Sequence, residues 1–184
     1  MKLIIVDMDG TLFDTKDVNY LAYRQALAEY GYDLDYDYYC SYCNGRHYTQ
    51  FLPQITTTDS DILSAVHKRK KELYKGFLDR AKPNEHLINI LKSLRPKYRT
   101  ALVTTASKAN CHDILQCFHL TDLFDLILTH DDITEGKPSP EGFLTAMAHF
   151  RVTAEETVIF EDSDVGLEAA KQTGASYYQT FGFN

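Results

Sequence analysis

LIIVDMDGT, residues 3–11, sets four apolar side chains directly against two aspartates, a glycine and a threonine. An apolar run closed by turn-forming residues reads as a buried strand. Four similar runs follow at RTALVT (99–104), DLILT (125–129), TVIF (157–160) and ASYYQ (175–179). Between them lie helical patterns at about 107–118, at 140–150 opening with SPE, and at 164–173 with Gly174 as a stop. Strand alternating with helix predicts an α/β fold, a Rossmann-like doubly wound parallel sheet of about five strands.

The first strand breaks that rhythm, because the second begins only at residue 99 and the intervening chain reads as helix. Tyr20, Tyr23, Leu27 and Tyr30 mark one apolar stripe, and Ile62, Ala65, Val66, Leu73 and Phe77 another. The expectation is a small all-helical domain at residues 15–82 inserted into a core of residues 1–14 and 83–184. Most of the thirteen tyrosines fall between Tyr20 and Tyr48, where they suit the packing of a small helical unit. The run KRKK at 68–71 reads as a solvated helix face.

The chain has 184 residues, with 26 acidic against 19 basic side chains and a formal charge of −7. Such a surface repels nucleic acid and anionic membrane, so neither is an expected partner. No apolar run is long enough for a signal core or a membrane span, and a cytoplasmic location with reduced thiols is expected. Cys40 and Cys43 in CSYC, with Cys111 and Cys117 far off at a looser spacing, give only poor support to a zinc site, and core or surface thiols are the expected reading. Cys111 shares a helical stripe with Ile114, Leu115 and Phe118, which places it in a core.

In a doubly wound sheet, ligands bind beyond the carboxyl ends of the strands. There the sequence puts Asp7 and Asp9, Thr104 and Thr105, Lys137, and Glu161 and Asp162. If the first strand stays extended, Asp7 and Asp9 share a face while Met8 points into the core. Carboxylates gathered in this way need a cation, and hard oxygen ligands suit Mg²⁺. A metal, a lysine and a hydroxyl around a carboxylate form a place for a phosphate, with Asp7 as nucleophile. The Gly136–Lys137 pair is not a phosphate-binding P-loop, since no glycine stands five residues earlier and Pro138 follows the lysine.

These four motifs, DMDGT (7–11), the threonine closing ALVT (101–104), the lysine of GKPSP (136–140) and EDSDVG (161–166), occur in order along the chain. Together they resemble the phosphatase branch of the haloacid dehalogenase superfamily, whose members include phosphoglycolate phosphatases and β-phosphoglucomutases. The resemblance implies a small phosphorylated metabolite as substrate: a sugar phosphate, a phosphoglycolate-like acid or a nucleotide. It also implies that Asp7 forms an aspartyl-phosphate while Asp9 protonates the leaving oxygen and later deprotonates water. Thr104, or its neighbour Thr105, would hold phosphate oxygens, and Lys137 would orient Asp7 and the phosphate. Asp7, the Asp9 carbonyl and Asp162 would bind magnesium, with Glu161 assisting.

By the same resemblance the insertion is a cap that selects substrate, and NGRHYTQF (44–51) would present Gly45 and Arg46 to it. A phosphomutase is the nearest rival, and a non-catalytic phosphate-binding relative is a third reading. The histidine of the mutases is aligned here with Asn19, which favours hydrolysis. Phosphonate hydrolysis would need a poised cap lysine, a role that a solvated KRKK face does not fill. A monomer or weak homodimer is expected.

Overall fold

The computed structural model describes residues 1–181 of the chain. Strand β1 (Leu3–Val6) is buried along its whole length. The chain then passes through a two-residue strand β2 (Phe13–Asp14) into helices α1 (Lys16–Glu29), α2 (Tyr36–Tyr38), α3 (Tyr48–Ile55) and α4 (Ser60–Leu73). A π-helical turn at Tyr39–Cys43 and a 3₁₀ segment at Tyr74–Arg80 complete this stretch. The chain returns through β3 (Lys82–Pro83), followed by α5 (Glu85–Leu94), β4 (Arg99–Val103), α6 (Lys108–Cys117) and β5 (Leu126–Leu128). It continues through α7 (Glu141–Phe150), β6 (Thr157–Glu161), α8 (Asp164–Gln172) and β7 (Ser176–Gln179).

The main sheet has five parallel strands in the order β5-β4-β1-β6-β7. β1 lies at its centre, with Val6 in register with Leu102 on one side and Phe160 on the other. Right-handed crossovers put α5 and α6 on one face and α7 and α8 on the other. Leu3, Ile5, Ala101, Val103 and Ile159 pack with Phe143, Ala146 and Met147 of α7 and with Ala169 and Ala170 of α8. Because the winding reverses at β1, the crevice beyond Val6 is the topological switch point. The strand and helix periodicities therefore give this sheet as expected, but they miss the small β2/β3 pair. That pair is antiparallel, with Phe13 opposite Pro83 and Asp14 opposite Lys82. Asn84 reinforces it: its backbone N–H donates to the Leu12 carbonyl at 2.8 Å and its side-chain amide to the Thr11 carbonyl at 3.1 Å.

The chain divides into two compact units, Met1–Asp14 with Lys82–Asn184, and Thr15–Ala81. In the inserted unit, Tyr20, Tyr23 and Leu27 of α1 pack with Phe51 and Leu52 of α3 and with Leu63 and Val66 of α4. Tyr30, assigned to the α1 stripe by spacing, follows the helix end and is exposed. On α4 the buried stripe is Leu63, Val66 and Lys70, whereas Ile62, Ala65 and Leu73 are half-buried.

Lys70 corrects the reading of KRKK as a solvated face, since it is only 8 % exposed. Its ammonium donates to the Asn19 side-chain oxygen and lies 5.0 Å and 5.2 Å from the ring centres of Tyr23 and Tyr74. An amide oxygen and two aromatic faces replace the water that a lysine loses on burial. Arg69 does face outward, paired with Glu29 at 2.7 Å and Glu72 at 3.0 Å.

Cys43 is buried in the inserted unit and Cys111 in the core, where burial pushes the Cys111 thiol up to about 12. Among the described residues, no helix is long and apolar enough to cross a membrane.

Candidate active site

β1 ends at Val6, one residue before the first aspartate, and the chain then turns. Leu12 and Phe13 both donate their backbone N–H to the Met8 carbonyl, and Gly10 donates to the Phe13 carbonyl at 2.7 Å. A turn thus replaces the extended backbone from which a shared face for Asp7 and Asp9 was expected. Met8 is fully buried, and Asp9 is half-buried. Asp7 stays fastened to the sheet, its N–H donating to the Phe160 carbonyl at 3.0 Å.

Lys137 arrives from the loop before α7. That loop is held by Glu141, whose carboxylate accepts from the N–H groups of Thr134 and Glu135 at 2.8 Å and 2.7 Å. The Lys137 ammonium is buried and donates to Asp7 Oδ1 and, at 2.6 Å, to Glu161 Oε1. Burial alone would lower the lysine pKa. The Asp7 and Glu161 carboxylates more than offset this and hold the group protonated. The Phe143 ring centre lies 5.1 Å from the ammonium.

Glu161 closes β6 and is almost completely buried. Besides Lys137, it accepts from the Ser163 N–H at 2.7 Å and the Ser163 hydroxyl at 3.1 Å. The Ser163 hydroxyl also accepts from the Gly166 N–H, capping α8. A Cβ at Gly166 would lie 1.8 Å from Glu161 Oε1 and would force that carboxylate off Lys137 and Ser163. Asp162 follows, its Oδ1 accepting from the Thr11 hydroxyl at 3.0 Å.

Asp7, Glu161 and Asp162 each offer a carboxylate oxygen within 4.8 Å of the others. Burial pushes the Asp7 carboxyl well up, with Lys137 opposing and Glu161 adding to the rise. Burial and the neighbouring Glu161 charge push Asp162 up to about 6. Three crowded carboxylates against one ammonium leave uncompensated negative charge, and an all-oxygen donor set of this kind fits a hard divalent cation. The three side chains of this group are those of Asp7, Glu161 and Asp162, without that of Asp9.

Thr104 is buried, and its hydroxyl accepts from the Ala106 N–H at 3.1 Å. Thr105 is exposed. Both line a small depression together with Val103, Lys137, Ser139 and Phe143. Gly45 and Arg46 are exposed residues of the inserted unit. Sequence reasoning did not assign the Thr11 hydroxyl a role, although it stands inside the DMDGT motif, nor the structural role of Ser163 beneath Glu161.

A buried lysine gripping two carboxylates of an acidic cluster, at the switch point of a parallel sheet, defines an α/β enzyme that handles an anionic substrate. Residues 4–179 match the haloacid dehalogenase-like hydrolase family, and the chain belongs to that family, in its phosphatase branch. It is 31% identical over 180 residues to the phosphorylated carbohydrates phosphatase of Thermotoga maritima, covering 95% of this chain and 82% of that one. With the fructose-1-phosphate phosphatase of Escherichia coli it shares 29% identity, covering 93% and 92% of the two chains. The crystal structure of CbbY from Rhodobacter sphaeroides in complex with phosphate superposes with a TM-score of 0.86. The identity there is 25%, covering 100% of this chain and 87% of the other.

Proposed function

We propose that the protein hydrolyses a small phosphorylated metabolite, with a sugar phosphate foremost, through an aspartyl-phosphate on Asp7. The observation that carries this reading is the Asp7 carboxylate, fixed by buried Lys137 beside Glu161 and Asp162. The names of the two relatives, both sugar-phosphate phosphatases, favour that substrate class over a phosphorylated acid or nucleotide.

An Asp7 oxygen attacks phosphorus, and the bond from phosphorus to the ester oxygen breaks. Asp9 gives its proton to the departing oxygen. In the second half, Asp9 takes a proton from water as that water attacks the phosphorylated Asp7, releasing inorganic phosphate and restoring the carboxylate. Lys137 keeps Asp7 oriented and offsets phosphate charge, while Thr104 or Thr105 donates to a phosphate oxygen. Mg²⁺, held by Asp7, Asp162 and the Asp9 carbonyl with Glu161 alongside, would supply charge neutralisation of the phosphoryl group. Glu161, with both oxygens engaged by Lys137 and Ser163, acts chiefly as the strut of the lysine. The inserted helical unit serves as the cap that selects substrate, with Gly45 and Arg46 as its candidate contacts.

The test is a panel of sugar phosphates, phosphoglycolate and nucleotides, assayed for phosphate release with and without magnesium, beside Asp7→Asn. Magnesium-dependent release that falls by at least about 10³-fold in the variant is expected. Equal turnover by Asp7→Asn would remove the nucleophile, and isomerised sugar phosphate in place of free phosphate would make the protein a mutase.

A further inference from the structure

The acidic cluster has an outer support that the reaction scheme leaves unused. Beyond β7, Thr180 donates its backbone N–H to the Glu161 carbonyl at 2.7 Å. Its hydroxyl donates to the Thr11 hydroxyl at 3.2 Å, which in turn donates to Asp162 Oδ1 at 3.0 Å. Three residues from distant parts of the chain thus form a directed row of hydroxyls ending on a carboxylate. Thr11 is fully buried, so its hydroxyl cannot turn to water for a substitute partner. Each donor in such a row polarises the next, and the row fixes the rotamer of the carboxylate that receives it.

We infer that Thr180, acting through Thr11, is a positioning residue that presets Asp162 for a divalent cation. This rests on the magnesium site proposed above. A carboxylate already held in one orientation loses less freedom on ligating an ion, and outer partners of metal ligands commonly change affinity by about 10–100-fold. Thr180 is one bond further out, and its removal leaves the Thr11 bond in place. A loss of about three- to tenfold is therefore expected.

Binding of magnesium chloride to the metal-free protein, followed by calorimetric titration, provides the test without recourse to turnover. Thr180→Val keeps the branched shape and the backbone bond while deleting the hydroxyl. Its magnesium dissociation constant should rise about three- to tenfold, and Thr180→Ser should restore the wild-type value. In the assay, the half-saturating magnesium concentration should move by more than kcat at saturating magnesium. Wild-type affinity in Thr180→Val would overturn the inference, as would an equal loss in Thr180→Ser, which would mark a packing role. Asp162→Asn is the control for the underlying reading. If the wild-type protein takes up no magnesium, or if Asp162→Asn binds it equally well, the metal site itself falls and the positioning role with it.

Discussion

Gly10 shows how closely backbone and carboxylate are fitted at this site. Its φ is +88°, and a Cβ there would lie 2.0 Å from Asp162 Oδ2. The clash is with a side chain that can move only by giving up the bond from the buried Thr11 hydroxyl, so the cost to folding joins that lost bond, about 1–3 kcal/mol, to the left-handed backbone, about 1–2 kcal/mol. If Asp162 ligates the proposed cation, its displacement by an ångström also costs chemistry. Gly10→Ala should accordingly unfold more easily in urea, by about 2–5 kcal/mol, and lose about 100-fold or more in kcat/KM. Comparable small losses in both measurements would show that Asp162 need not hold its present position. Glu161 illustrates a different local lesson: a residue expected to assist a metal is tied at both oxygens to Lys137 and Ser163. The motif EDSDVG displays the acid, but its partner Lys137 is brought to it only by the fold.

At the scale of elements, short turns carry much of the precision. Thr129 opens the 3₁₀ turn His130–Asp132 with a capping box, its N–H and hydroxyl both donating to Asp132 Oδ2, at 2.9 Å and 2.7 Å. The hydroxyl bond, followed by the backbone bond, holds the Asp132 carboxyl below its ordinary value. A depressed folded pKa gives stability that is complete above the unfolded value, about 3.9, and fades as pH falls toward the folded one. Asp132→Asn should therefore lower Tm at pH 7 by a small amount, because the group is exposed and screened. The gap from wild type should narrow below about pH 4. A gap that stays constant down to pH 3 would mean that the carboxylate charge contributes nothing. The chain boundaries of the sheet elements are legible because buried strands and amphipathic helices repeat with their own periods. The β2/β3 pair escapes that reading, since two-residue strands have no period.

For the molecule as a whole, that pair is what lets an insertion interrupt the core without opening it. Asp14 and Lys82 face one another in antiparallel register, so the two ends of the inserted unit leave the core side by side. A two-residue Asn-Gly turn matches the twist of such a pair. Replacing Thr15–Ala81 by Asn-Gly should give a core that still unfolds cooperatively in urea, followed by far-UV circular dichroism, and that no longer discriminates among phosphomonoesters. A non-cooperative transition would show that the core depends on the insertion for its stability. Retained selectivity in a folded core would place substrate choice within the core and withdraw the cap role from Gly45 and Arg46.

The sequence by itself determined the alternation of strand and helix and the helical insertion, and it pointed to Asp7, Lys137, Glu161 and Asp162, which the structure gathers. These follow from local periodicity and from residues that stand together in short motifs. Only the tertiary structure decided that Asp7 precedes a turn, that Lys70 is buried against Asn19 and two tyrosines, and that Glu161 braces Lys137. It alone set Thr180 behind Thr11 and Asp162. Each of these depends on partners far apart in the chain, where the burial of a polar group is settled by which donor or acceptor the fold delivers to it.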